Sequence, residues 1–191
     1  MQYKIYIFRH GETYYNRSGR FTGDIDSHLT PKGRLQAKTI AKKLKKVHFE
    51  IAFQTKLARS KETLKYVLKD HPECKKIIKD NRMIERDYGL LKGKYHSTVI
   101  REYGKEKYNL WHRSYDTRPP NGESLKDVEK RVNSFIKDLL KLMKKEKVNV
   151  AISAHGNSMR PFRRYFEKFG VKKMMEIENP WDDYFEYTVH L

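Results

Sequence analysis

Two short apolar runs constrain this chain more than any other feature, because both end in the same dipeptide. Residues 3–8 lead into Arg9-His10-Gly11-Glu12-Thr13, and residues 148–153 lead into Ala154-His155-Gly156-Asn157-Ser158. A continuous apolar run of this length reads as a strand buried on both faces, as in a parallel sheet. In open α/β sheets, ligands bind beyond the carboxyl ends of the strands. Both histidines are therefore expected at one crevice.

Helical and strand signals alternate between these runs. Thr30-Pro31 reads as an N-cap followed by a first-turn proline, with Leu35, Ala37, Ile40, Ala41 and Leu44 as an apolar stripe. A strand is expected near 49–53, then a helix through Leu57, Leu64, Val67 and Leu68, and a short strand at 76–79. Ser124-Leu125-Lys126-Asp127 resembles a capping box and opens the longest helix, whose stripe includes Val128, Val132, Phe135, Ile136, Leu139, Leu140 and Met143. A helix near 158–169 and a strand at 184–189 complete the pattern. The alternation predicts an α/β fold, a three-layer, mostly parallel sheet flanked by helices on both faces. One domain is expected over residues 1–191, with an insertion of loops and short helices at about 81–122.

Charge needs its own explanation, since 42 basic residues stand against 24 acidic ones, for a formal charge of +18. Nucleic acid is one candidate partner for such a field. No zinc-ligand spacing or RNP-type strand accompanies the lysines, so no specific nucleic-acid partner is expected. Capture of small phosphorylated anions accounts for the excess, because a positive field accelerates their arrival. Apolar residues make up 38% and aromatics 13%, enough for a packed core. A lone cysteine, Cys74, excludes an internal disulfide and fits a reducing compartment. No run approaches the roughly 20 apolar residues of a membrane span. The reading is a soluble cytoplasmic protein with no membrane partner, and nothing in the pattern specifies an oligomeric state.

Arg9-His10-Gly11 has the chemistry of phosphoryl transfer. A neutral imidazole nitrogen can attack phosphorus and divide a hard transfer into two easier ones. The planar guanidinium of Arg9 matches phosphoryl oxygens in a way that lysine cannot. Gly11 is expected to let the backbone approach the phosphate. The eight histidines form no H-E-x-x-H spacing, and no Walker-type loop is present. No metal is expected.

The chain also resembles the histidine phosphatase superfamily, in particular its cofactor-dependent phosphoglycerate mutase branch. Its matching segments run in order: R-H-G-E-T at 9–13, Asn16, F-T-G-D-I-D-S-H-L-T-P-K-G at 21–33, and T-K-L-A-R-S at 55–60. E-R-D-Y-G at 85–89, W-H-R-S-Y-D-T-R-P-P-N-G-E-S-L-K-D at 111–127 and A-H-G-N-S-M-R at 154–160 follow. The resemblance implies a phosphohistidine on His10, with Arg9, Arg59 and His155 around the transferring phosphoryl group and Glu85 as general acid and base. Asn16, Thr22, Gly23, Tyr88, Gly156 and Asn157 would bind the substrate. It further implies interconversion of 3-phosphoglycerate and 2-phosphoglycerate, with 2,3-bisphosphoglycerate as the priming donor.

Two departures bear on that activity. A lysine and a paired arginine usual in the branch align with His96 and His112, leaving Arg113 of the pair. These groups would clamp the second acidic end of a bisphosphate, and histidine near its ordinary pKa of about 6.5 is only partly charged. Lys92 or Lys94 reaching inward would compensate. The segment after Pro120 is short, and little chain follows the last strand, so a site open to water is expected. The rival reading keeps the phosphohistidine but passes its phosphate to water, as a phosphomonoesterase does. A third is a basic adaptor that binds phosphorylated or nucleic-acid ligands without turnover.

Overall fold

A computed structural model describes residues 1–191. Its five strands lie in one sheet ordered β3-β2-β4-β1-β5, namely Lys76–Lys79, Ile51–Gln54, Val150–Ala154, Gln2–Arg9 and Tyr184–His190. Four are parallel; β5 runs antiparallel to β1, with Gln2 opposite His190 and Phe8 opposite Tyr184. The fold is thus the mostly parallel α/β sheet read from the sequence.

Alternation along β1 assigns its two faces, because successive side chains in a strand point to opposite sides. Ile5 and Ile7 join Phe53 and Ile152 in a core completed by Val128, Val132, Phe135, Ile136, Leu139 and Met143 of α5 (Leu125–Glu146) and Met159 and Phe162 of α6 (Gly156–Glu167). Tyr6 and Phe8 face the other way. They meet Ile40, Ala41 and Leu44 of α2 (Pro31–Leu44) and Leu64 and Val67 of α3 (Ala58–Val67). Each such buried side chain contributes about 1.5–3 kcal/mol relative to exposure. Three layers follow: helices, sheet, helices.

The caps stand where the sequence puts them. Thr30 accepts the Gly33 N–H ahead of α2, and Ser124 with Asp127 forms a reciprocal box at the start of α5. Leu35, however, is 64% exposed and is not part of the core stripe. A short helix, α7 (Val171–Glu176), was not signalled by any long period. α1 (Tyr14–Arg17) is a single turn capped reciprocally by Thr13 and Asn16.

Within the expected insertion of loops and short helices lies α4, His96–Arg113, made of two short helical segments. Only Val99 of its residues is buried, so it lacks the apolar stripe that betrays a helix. It is also broken at Gly104, whose φ of 81° and ψ of 156° lie in a region essentially reserved for glycine. The break folds the second half of α4 back toward the first. No helix is long and apolar enough to cross a membrane.

Candidate active site

Parallel pairing of β1 and β4 sets Arg9 opposite Ala154, and the His10 N–H then donates to the Ala154 carbonyl at 3.1 Å. The residues that follow each strand therefore emerge together. The rings of His10 and His155 lie 5.0 Å apart. The carboxyl-end crevice contains both histidines, as the two apolar runs imply.

His10 is buried, and its Nδ1 lies 2.8 Å from the Gly11 carbonyl oxygen. A carbonyl only accepts, so Nδ1 carries the proton and Nε2 keeps a bare lone pair. Burial, with Arg59 and Arg9 adding repulsion, pushes its pKa well below the ordinary value. The imidazole is held neutral, as a nucleophile must be. The Gly11 N–H is fixed by Thr63 Oγ1, and Thr63 in turn donates to the Arg59 carbonyl. The reason for Gly11 differs from the one expected. The space for a side chain there is filled by the Gly33 backbone rather than kept open for a phosphate.

His155 is likewise buried and held neutral, chiefly by desolvation and then by Arg59. Its Nε2 contacts Thr55 Oγ1 at 2.8 Å, and that hydroxyl accepts the Leu57 N–H. A hydroxyl both donates and accepts, so this contact fits a hydrogen on either ring nitrogen. Its Nδ1 is buried and has no hydrogen-bond partner.

Arg59 donates to the carbonyls of Ile25 and Gly23 at 2.8 and 2.6 Å, and Arg9 to the carbonyl of Asn179 at 3.3 Å. Both guanidinium groups donate to carbonyls rather than carboxylates, and each has a buried Nε without a partner. Burial lowers the Arg59 pKa to about 10, which still leaves it charged at neutral pH. Positive charge is held here without neutralisation.

Glu85 is buried, and one carboxyl oxygen accepts the backbone N–H groups of Arg86 and Asn157 at 2.8 and 3.1 Å. A surface pairing with Arg82 or Arg86 is absent: Arg82 turns to Asp80 and Asp138, and Arg86 donates to the carbonyls of Glu123 and Thr117. His10, His155 and Glu85 offer ligand atoms within 4.8 Å of one another. The charges of Arg9 and Arg59 beside them oppose a cation and favour a phosphoryl group.

A cavity of about 250 Å³, lined by Arg9, His10, Arg59 and Glu85 but not by His155, joins them to the remaining expected residues: Asn16, Thr22, Gly23, Tyr88, His96, His112, Arg113, Gly156 and Asn157. Asn16 serves both purposes considered for such residues, since its Oδ1 caps the Thr13 N–H while its side chain lines the cavity. Thr22 has a buried hydroxyl without a partner. Asn157 donates its side-chain amide to the Tyr88 hydroxyl at 3.2 Å, so the two form one unit.

His96 and His112 do line the cavity, but not as cations. Desolvation first, then Arg113, lowers both pKa values, with His112 pushed down to about 3. Lys92 and Lys94 do not compensate. Lys92 pairs with Asp24 and Asp87 at 2.8 and 3.0 Å, and Lys94 with Glu102 at 2.7 Å.

Several lining residues escaped the sequence reading. Arg20, Arg86 and Arg160 bring the arginines of the cavity to six, against two carboxylates, Glu85 and Glu178. Trp181 lies over Arg9, 3.6 Å from guanidinium carbon to ring centroid, and meets the His10 ring edge-on at 5.7 Å. Asn179 is buried and donates to the Gly156 carbonyl. Asn179 and Trp181, from the segment before β5, thus pack beside Arg9 and His10. Arg160 was visible inside A-H-G-N-S-M-R. Trp181 was signalled only by Asn-Pro-Trp punctuation ahead of the last strand.

The sequence model of the histidine phosphatase superfamily (branch 1) matches residues 5–187. A 2,3-bisphosphoglycerate-dependent phosphoglycerate mutase 2 of Gloeobacter violaceus is 35% identical over 177 residues, covering 91% of this chain and 80% of that protein. A 2,3-bisphosphoglycerate-dependent phosphoglycerate mutase of Mesorhizobium japonicum is 37% identical over 181 residues, covering 93% and 88%. Among solved structures, a putative α-ribazole-5'-phosphate phosphatase of Escherichia coli superposes with a TM-score of 0.84 at 21% identity, covering 98% of this chain and 91% of that one. A mycobacterial glucosyl-3-phosphoglycerate phosphatase gives 0.84 at 21%, covering 100% and 92%. At that identity the likeness is one of fold.

Proposed function

Because this chain belongs to the histidine phosphatase superfamily, we propose that it interconverts 3-phosphoglycerate and 2-phosphoglycerate through a phosphate carried on His10. The observation that carries this reading is the charge of the cavity, six guanidinium groups against two carboxylates. Such a surplus suits a small ligand with acidic groups at both ends, and the mutase names of the relatives point the same way.

The proposed steps use the groups described above. The bare Nε2 of His10 attacks phosphorus while the bond to the ester oxygen breaks. Glu85, as the acid, gives its proton to that leaving oxygen. Arg9, Arg59 and His155 stabilise charge on the equatorial oxygens, where preorganised donors act most strongly. In the second half, Glu85 as carboxylate takes the proton of the acceptor hydroxyl as that oxygen attacks the phosphohistidine. The carboxyl is thereby restored. General acid–base help of this kind contributes roughly 10²–10⁴-fold. Arg20, Arg86, Arg113 and Arg160 would hold 2,3-bisphosphoglycerate, which supplies the priming phosphate when bound.

A second reading, transfer to water, is favoured by the neutral state of His96 and His112, since a weaker outer clamp holds an intermediate less well. Formation of 2-phosphoglycerate measured against release of inorganic phosphate, with and without 2,3-bisphosphoglycerate, separates the two. Isomer formation that rises with the bisphosphate supports the mutase; phosphate release alone overturns it. Replacing His96 with Lys and His112 with Arg should move the ratio toward the mutase.

A further inference from the structure

Tyr108, in the second half of α4, places its hydroxyl 3.2 Å from His96 Nδ1 and 2.9 Å from His112 Nδ1. The two imidazoles are stacked, with centroids 5.1 Å apart and planes 30° from parallel. Phe21 packs against both, at 4.1 and 5.3 Å. Both line the cavity, and neither Nε2 has a protein partner. The break at Gly104 makes this meeting possible, since it folds Tyr108 back over His96.

Proton counting then determines what the pair can offer. A phenol has one hydrogen to donate and lone pairs to accept with. It can donate to one Nδ1 and accept from the Nδ1–H of the other. With both rings neutral, the first carries its hydrogen on Nε2 and the second leaves Nε2 bare. Desolvation, and then nearby charge, keeps them neutral: Arg113 stands beside both, and Arg86 and Arg160 face His112 from other elements. Tyr88 meets His112 at 6.2 Å, and Lys92 and Lys94 are engaged elsewhere.

We infer that Tyr108 holds His96 and His112 in opposite tautomers, so that this end of the cavity presents one N–H donor beside one acceptor, a pair that a ligand hydroxyl satisfies directly and a second phosphate satisfies only with uptake of a proton. The inference rests on the reading of the cavity as a phosphohistidine site for small phosphate esters. A hydroxyl both donates and accepts, which matches the pair. A phosphate dianion only accepts, so it leaves one Nε2 lone pair facing it until a proton is taken up. Tyr108 is a positioning residue here, acting through the two rings. A bisphosphate enters only together with that proton. Between pH 7 and 8 its affinity should therefore fall by about ten-fold, while that of glycerol 3-phosphate stays level.

Nitrogen-15 NMR of the full chain tests this without turnover, because ring nitrogen shifts report tautomer and charge directly. His96→Gln and His112→Gln identify the two signals. The expected result at pH 7 is two neutral rings of opposite tautomer, which lose that opposition in Tyr108→Phe. In His10→Ala, which keeps ligands intact, glycerol 3-phosphate should leave both rings neutral, and 2,3-bisphosphoglycerate should convert one to imidazolium. Matching tautomers, an imidazolium in the free protein, or rings that respond alike to both ligands would overturn the inference. The isomer-against-phosphate assay fails or succeeds separately, so the two conclusions stay distinguishable.

Discussion

Gly11 and Gly33 lie backbone against backbone. A methyl group on Gly11 would sit 2.2 Å from the Gly33 carbonyl oxygen, and one on Gly33 would sit 2.0 Å from the carbonyl oxygen of Glu12. The Thr30 N–H also donates to Glu12 O at 2.9 Å, so the start of α2 clamps the loop that holds His10. Gly11→Ala and Gly33→Ala should each destabilise by about 1–3 kcal/mol, since the obstructing atoms are backbone and cannot swing aside. For a chain of this size that lowers Tm by roughly 2–12 °C. Thermal denaturation checks it; a Tm equal to the parent's would mean that the clamp yields freely.

Glu85→Gln retains the oxygen that accepts the Arg86 and Asn157 N–H groups, so the fold should survive intact. Only proton transfer is lost. Turnover should drop by about 10²–10⁴-fold, with an unchanged circular dichroism spectrum. Retained turnover would assign the proton to another group.

Three histidines held neutral in the folded chain give stability a definite pH dependence. Burial, with nearby arginines, depresses His10 and His155 well below the ordinary value and His112 to about 3. The unfolded chain protonates at these positions from about pH 6.5 downward, whereas the folded chain does not. The unfolded state then binds more protons, so stability is full above about pH 6.5 and declines as pH falls toward the depressed values. Each histidine steepens that decline by up to about 1.4 kcal/mol per pH unit. Urea titrations from pH 7 to pH 5 should show it, and His112→Gln should flatten the slope. An identical slope in the variant would mean that His112 titrates normally in the folded chain.

Trp181 covers the Arg9 guanidinium, and a desolvated contact of this kind contributes roughly 0.5–2 kcal/mol. Trp181→Ala should loosen Arg9, raise KM for the phosphate ester and lower Tm by a few degrees. Trp181→Phe should recover much of the loss, because a ring face is restored. Equal KM values for all three proteins would show that Arg9 is held by Asn179 alone.

Local and near-local signals determined most of the fold and the inner site. Thr30-Pro31 and Ser124 with Asp127 mark helix starts because caps act within one turn, and the apolar runs before His10 and His155 mark strands because burial on both faces leaves no polar alternation. His10, Arg9, Arg59, Glu85 and His155 were legible because their chemistry is carried in short ordered motifs. What tertiary structure alone decided is how charge and hydrogens are distributed. Nothing in a sequence says that His96 and His112 would be desolvated beside Arg113, or that Tyr108 would reach both across a helix broken at Gly104. Nor could it foretell that Lys92 would turn to Asp24, or that Trp181 would cross from the far end of the chain to lie over Arg9. A proton's place depends on every dipole and charge within a few ångströms, and those neighbours come from residues distant in sequence.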